Sequence, residues 1–471
     1  ASNDNLASNT YSVTNDGTAP SVTIDGPAGP VNGSFDVTIT FSEDVTGFVQ
    51  NDITITNGTI TAFSGSEASY TATINPTTDG EVTVQVPAGV ALDAASNDNL
   101  ASNIYSIIND GTATTVTIDG PAGPVNGSFD ITITFSEGVT GFVQSDITIT
   151  NGTITAFSGS GASYTATIDP TTDGEVTVQV PAGVAIDAAS NDNLASNTYS
   201  VTNDGTAPSV TIDGPAGPVN GSFDVTITFS EDVTGFVQSD ITITNGTITA
   251  FSGSGASYTA TIDPTADGEV TVQVPAGVAM DAANNDNLAS NIYSIINDGT
   301  APSVTIDGPA GPVNGSFDVT ITFSEGVTGF VQSDITVTNG SITAFSGSGA
   351  SYTATIDPTA DGEVTVQVPA GVAMDAANND NLASNTYSVT NDGTAPSVTI
   401  DGPAGPVNGS FDITITFSEG VTGFVQSDIT VTNGSITAFS GSGASYTATI
   451  DPTADGEVTV QVPAGVAMDA A

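Results

Sequence analysis

The sequence predicts an all-β chain of tandem β-sandwiches, and three observations predict it. The first is a strict period: Gly17, Gly111, Gly205, Gly299 and Gly393 each open GTAP or its variant GTAT, always 94 residues apart, with no insertion or deletion. The second is alternation. Within one period the apolar residues fall at every second position in short runs bounded by Gly, Pro, Asn and Ser, which is how half-buried strands read, and no helical stripe competes. The third is composition: 471 residues with no cysteine, 38% hydrophobic and 11% charged fit neither a disulfide scaffold nor a disordered acidic tail.

Taken in order through residues 17–110, the runs give seven strands. Val22 and Ile24 mark strand A. In FDVTITF, strand B, Phe35, Val37, Ile39 and Phe41 face inward while Asp36, Thr38 and Thr40 face water. DITIT and TITAF flank Asn57-Gly58, a pair suited to the positive φ values of a type I′ turn, so strands C and C′ are expected to form a tight hairpin. Tyr70, Ala72 and Ile74 mark strand E, Val82, Val84 and Val86 strand F, and Tyr105 with Ile107 strand G. Seven short strands in 94 residues predict an immunoglobulin-like sandwich. Tyr70 and Tyr105 fall on inward phases, so both are expected in the core, with a hydroxyl reaching the rim. The slot holding Leu92, Ile186, Met280, Met374 and Met468 takes similar volumes only and is expected in the core as well.

Domain limits follow from the period: whole units at 17–110, 111–204, 205–298 and 299–392, residues 1–16 as the F–G loop and G strand of a preceding unit, and 393–471 as a unit lacking its G strand. Ala471 shares the phase of Ala1 and Ala95, which suggests a window from a longer array, or a chain that joins end to end. FSEDVTGF, DITITNGTI, SYTATI and DGEVTVQVPAGVALDAASNDN follow one another at ordinary spacing in the unit. This order resembles the tandem bacterial immunoglobulin-like (Big-type) repeats of very large secreted surface adhesins. The resemblance implies an extracellular, cell-surface stalk or fibre that often binds calcium.

Charge sharpens the functional reading. The chain has 52 Asp plus Glu and no Lys, Arg or His, so no side chain can form an ion pair. Nucleic-acid binding, which needs a phosphate-neutralising stripe, is excluded. No run of about 18 apolar residues is present, so no membrane span is expected in this sequence. In a sandwich entered from the NDG linker, the B–C and F–G loops lie at the linker end. Glu43 and Asp52 then meet Asp93 and Asp98 of the F–G loop and Asp16 of the incoming linker. Like charges about 4 Å apart repel by about 1 kcal/mol even in water, so such a cluster calls for a cation. Carboxylates, amide oxygens and carbonyls suit calcium, and the lack of Cys and His disfavours zinc. The expected ligands in later units are Asp110, Glu137, Asp146, Asp187 and Asp192; Asp204, Glu231, Asp240, Asp281 and Asp286; Asp298, Glu325, Asp334, Asp375 and Asp380; and Asp392, Glu419, Asp428 and Asp469. Asp25, Asp36 and Asp79 read as solvating groups away from that pole.

An enzyme is not expected, because only carboxylates, hydroxyls and amides are on hand and a 94-residue sandwich offers little cleft for a paired-carboxylate glycosidase. The structural reading is a calcium-stiffened extracellular segment serving adhesion, cell-cell contact or biofilm matrix, with further copies of the repeat in cis as its partners. Two alternatives stay open: weak multivalent glycan binding, and head-to-tail assembly in which residues 1–16 of one chain complete the last unit of another. Strand G also alternates between NTYSVTND and NIYSIIND, so outward Thr10 and Thr14 become Ile104 and Ile108 in every second unit, which hints at lateral packing.

Overall fold

The computed structural model describes residues 4–470, so Ala1 and Ala471, whose shared phase was noted above, lie outside it. In the first repeat the strands are β1 (Val22–Asp25), β2 (Phe35–Phe41), β3 (Thr54–Thr56), β4 (Gly58–Ser66), β5 (Ser69–Pro76), β6 (Gly80–Gln85) and β7 (Tyr105–Asn109), with one 3-10 turn at Gln50–Asp52. They form two antiparallel sheets, ordered β1-β2-β5-β4 and β3-β6-β7. Period-two alternation is what makes them stack. Val22, Ile24, Phe35, Val37, Ile39, Phe41, Tyr70, Ala72, Ile74, Val82, Val84 and Ile107 are all buried between the sheets, while the residues between them face outward.

An edge-to-face aromatic cluster closes the linker end of this core. Phe48 sits 5.1 Å from Phe41 and 5.0 Å from Tyr70, and Tyr70 stacks on Phe63 at 5.7 Å. Tyr105 packs on Phe35 and donates its hydroxyl to the Pro27 carbonyl at 2.7 Å, so the ring is core and the oxygen is rim.

Two expectations are overturned. Asn57-Gly58 is not a hairpin turn: β3 pairs with β6 in one sheet and β4 with β5 in the other, so this pair carries the chain across the sandwich. Asn57 adopts φ 57°, but its side chain is pinned elsewhere, accepting from Thr77 Oγ1 at 2.9 Å and Thr78 N at 3.1 Å and donating to the Thr78 carbonyl at 2.9 Å. Gly58 fits because a Cβ there would lie 3.1 Å from Ile74 and 3.3 Å from Ile55. The slot of Leu92, Ile186, Met280, Met374 and Met468 is not core either. Leu92 is 40% exposed, because Ala91 and Asp93 on either side take the inward phase.

The chain divides into two compact units. One comprises the first two repeats with the loops Ser230–Phe236 and Ala276–Leu288, and the other Val210–Phe229, Val237–Pro275 and the fourth and fifth repeats. Within each the two-sheet pattern recurs, with the counterparts of β4 and β5 running on as one 19-residue element such as Gly152–Pro170. That element folds back at Gly159–Gly161, so that Thr155 Oγ1 donates to the Thr167 carbonyl and Phe157 stacks on Tyr164 at 5.7 Å. Residues 4–21 form no strand, and Tyr11 stands 86% exposed. In the fifth repeat the second sheet has two strands, Thr430–Thr432 and Thr459–Gln461, and Ile400 is 37% exposed where its counterpart Ile24 is 5%.

Candidate metal centre

Asparagines build the linker pole. Asn99 is 1% exposed and uses its whole amide: Oδ1 accepts from Val90 and Ala91 N–H at 2.8 and 2.9 Å, and Nδ2 donates to the Pro87 and Leu100 carbonyls at 2.9 and 2.8 Å. A buried amide satisfied on every side fixes the β6–β7 loop as a strand ladder would. Asn103 does the same between segments, exchanging 2.8 and 2.9 Å bonds with the main chain of Ile24. Ahead of both, the loop winds around Asp93, 4% exposed, whose Oδ1 accepts from Ala95 and Asn97 N–H at 2.8 Å each and whose Oδ2 accepts from Asn97 Nδ2 at 2.8 Å. The tight turn demands positive φ at Ser96 (68°), and the later repeats place Asn284 and Asn378 there, also at 68°. Asn97 Nδ2 reaches on to the Asp16 carbonyl at 3.1 Å, tying the incoming linker to the loop.

The result is a carboxylate triad. Asp16, Glu43 and Asp93 each place an oxygen within 4.8 Å of the others, and the same holds for Asp110, Glu137 and Asp187; Asp204, Glu231 and Asp281; Asp298, Glu325 and Asp375; and Asp392, Glu419 and Asp469. Of the five acids expected per junction, the structure brings these three together. Asp52, with Asp146, Asp240, Asp334 and Asp428, instead caps the 3-10 turn, its Oδ2 accepting from Val49 N–H at 2.7 Å. Asp98, with Asp192, Asp286 and Asp380, is exposed on the far side of its bridge to Leu92.

The electrostatics differ within the first triad. Loss of hydration pushes the Glu43 carboxyl above its ordinary value, and the negative charges of Asp16, Asp93 and Asp44 push the same way. Glu231, Glu325 and Glu419 are raised for the same two reasons. Asp93 is lowered, chiefly by the Asn97 N–H and side-chain amide that hold its charged form. The first triad thus sets a carboxylate kept ionised by donors, Asp93, beside one that resists ionisation, Glu43, an arrangement that a hard cation would relieve. Glu137 has a further partner at 3.3 Å, the hydroxyl of Thr114, which replaces proline in the GTAT variant and is fully buried.

Composition alone did not reveal Asp79. Read from sequence as a solvating group, it faces the outgoing linker, and the counterparts Asp173, Asp267 and Asp361 do likewise. The DG that opens β6 was the available signal, but its partner lies in another segment.

No helix among the described residues is long and apolar enough to cross a membrane. No curated protein sequence matches the chain. Among solved structures, it is similar to FdeC, an Escherichia coli adhesin, at 15% identity over 60% of this chain and 98% of that one, with a TM-score of 0.33. It is similar to invasin, a bacterial integrin-binding protein, at 13% identity over 81% and 80% of the two chains, with a TM-score of 0.32. A family model described as a bacterial Ig-like domain matches residues 16–107, 110–202, 204–295, 298–390 and 392–471. Five consecutive two-sheet repeats, each accounted for by that model, make this chain a member of the bacterial Ig-like domain family.

Proposed function

We propose that this chain is a structural segment of an extracellular stalk or fibre on a bacterial surface, serving adhesion, cell-cell contact or biofilm matrix, with calcium seated in the acidic triad at each junction. Recurrence carries the reading: the triad forms five times, each time from one linker aspartate, one glutamate and one loop aspartate of the repeat that follows. The chain has no cationic side chain to neutralise it. Two carboxylates from a folded repeat and one from its linker supply hard oxygen ligands of the kind calcium takes. Bound there, the ion ties the linker to the repeat. The proposed units begin at Gly17, Gly111, Gly205, Gly299 and Gly393. The exposed pairs Ile104 with Ile108 and Ile292 with Ile296 support lateral association of such segments as a secondary role.

Calcium titration of the chelator-treated chain, followed by calorimetry and thermal melting, tests the metal. The expected result is saturable binding and a raised melting temperature that EDTA reverses. A melting curve indifferent to millimolar calcium overturns the metal assignment. Small-angle scattering tests the stalk: a particle that stays extended in calcium and grows more flexible on chelation is expected.

A further inference from the structure

Three linkers, those opening at Gly111, Gly205 and Gly299, are held from behind as well as from ahead. In the first junction Asp110 N–H donates to the Val31 carbonyl at 2.9 Å, so the chain leaving β7 still belongs to the first repeat. Asp79, in the loop between β5 and β6, then takes the next two residues with both of its oxygens. Oδ1 accepts from Gly111 N–H at 2.8 Å and from Asn109 Nδ2 at 3.2 Å, and Oδ2 accepts from the Thr112 hydroxyl at 2.6 Å. These donors hold the Asp79 carboxyl below its ordinary value. A Cβ on Gly111 would lie 3.3 Å from Asp79 Oδ1, which is why the residue at this approach is glycine.

From ahead, the second repeat reaches back. Asn191 Nδ2 donates to the Asp110 carbonyl at 2.8 Å, and Leu194 N–H donates to the carbonyl of buried Thr114 at 2.8 Å. Only Ala113 separates the last residue held by the first repeat from the first one buried in the second. The Asp110 carboxylate bends over its own linker to accept from Thr112 N–H at 3.0 Å, so the residue that Asp79 holds also orients the linker's metal-facing acid. The aspartate clamp recurs with Asp173 on Gly205 and Thr206, Asp267 on Gly299 and Thr300, and Asp361 on Gly393 and Thr394. Between the third and fourth repeats there is also a direct bond, Asn220 Nδ2 to Asn379 Oδ1 at 2.5 Å, from the loop beside the clamp to the loop that wraps the triad.

We propose that Asp79, Asp173, Asp267 and Asp361 are positioning residues: each clamps its repeat's outgoing linker and thereby presents the linker aspartate to the next repeat's carboxylate pair. Cation binding at a junction is then coupled to the folded state of the repeat before it. The coupling rests on the calcium reading above; the clamp does not.

Two variants of the full chain separate these statements. Replacing the four aspartates together with alanine removes the clamp. Replacing Thr112, Thr206, Thr300 and Thr394 with valine removes one of its bonds at each linker while leaving every carboxylate in place, and serine at the same positions restores it. Proteinase K cleavage at 109–114 and its counterparts is read in EDTA, and the calcium midpoint is read by titration. Loss of a charge-assisted bond at each linker is expected to speed linker cleavage about ten-fold and raise the calcium midpoint about five-fold in the alanine variant, with smaller shifts in the valine variant and wild-type values for serine. Unchanged linker cleavage in both variants overturns the clamp. Faster cleavage with an unchanged calcium midpoint overturns the coupling. A wild-type chain that does not respond to calcium removes the metal reading, and the cleavage arm then decides the clamp by itself.

Discussion

Glu43 and Asp79 are rim carboxylates of one repeat, the first facing the incoming linker and the second the outgoing one, yet their proton affinities move in opposite directions. Glu43 loses hydration and faces other anions. Asp79 is more exposed but meets an N–H and a hydroxyl, and those donors favour its charged form. In a chain with no basic side chain, what an acid does is decided by the donors it meets. The incoming end gathers three carboxylates, the setting in which calcium is proposed, whereas the outgoing end supplies its own donors.

The largest effect that would break this contrast is the response to calcium. At a hundred-fold excess over Kd, binding to the folded state alone adds about 2.7 kcal/mol for one independent site, so a clear rise in melting temperature is expected. Glu137→Gln, which leaves the loop bonds of Asp187 in place, should weaken the calcium contribution of that junction, and in EDTA it should cost no more than its Thr114 bond.

Next in size is the frame that holds the triad. Asn193, the second-repeat counterpart of Asn99, is 1% exposed and bonds Val184 N–H, Ala185 N–H and the carbonyls of Pro181 and Leu194. Asn193→Ala would strand these buried groups and is expected to cost about 2 to 4 kcal/mol in denaturant unfolding, with or without calcium. An effect that vanished in EDTA would show that the amide serves the metal and not the fold.

Acidity gives a subtler test. A raised carboxyl such as Glu231 or Glu325, ordinarily at 4.5, stabilises the fold below its unfolded value, and that stability is lost as pH rises through the raised value. A lowered one such as Asp79 or Asp93, ordinarily at 3.8, contributes above that value and is lost as pH falls through the lowered one. In EDTA the melting temperature should therefore peak in the mildly acidic range between the two groups and fall on either side. With calcium present the maximum should move toward neutrality, because the ion requires the ionised form. A melting profile that is the same with and without calcium would erase the distinction between the two ends.

The smallest expected effect sharpens which acids belong to the centre. Asp146→Ala removes the acceptor that caps Val143 N–H at 2.8 Å and should cost about 0.5 to 1 kcal/mol while leaving the calcium midpoint untouched.

Much of the fold was legible because period-two alternation is a local signal: the inward residues of strands A, B, E and F are the buried ones in the structure. Asn57-Gly58 misled because the same dipeptide serves a hairpin or a crossover, and only its bonds to Thr77 and Thr78, some twenty positions away, decide between them. Leu92 misled because a surface slot beside a bridge accepts Leu, Ile and Met as readily as a core does. Loop placement indicated that acids gather at the linker end, but which three converge depends on how Asn97 and Asn99 wind the loop, a matter of side-chain bonding that spacing does not encode. Asp79 was out of reach for the same reason, since its partners lie 32 and 33 positions downstream.

The Leu92 slot has one more consequence. Met280 and Met374 stand 41% exposed and Met468 70%, and these are the chain's three methionines. Thioethers set against water can be converted to sulfoxides without forcing a polar oxygen between packed sheets. An oxidant would mark this chain at its surface and leave the interior of every repeat, built from Val, Ile, Phe, Tyr and Ala, with nothing comparable to react.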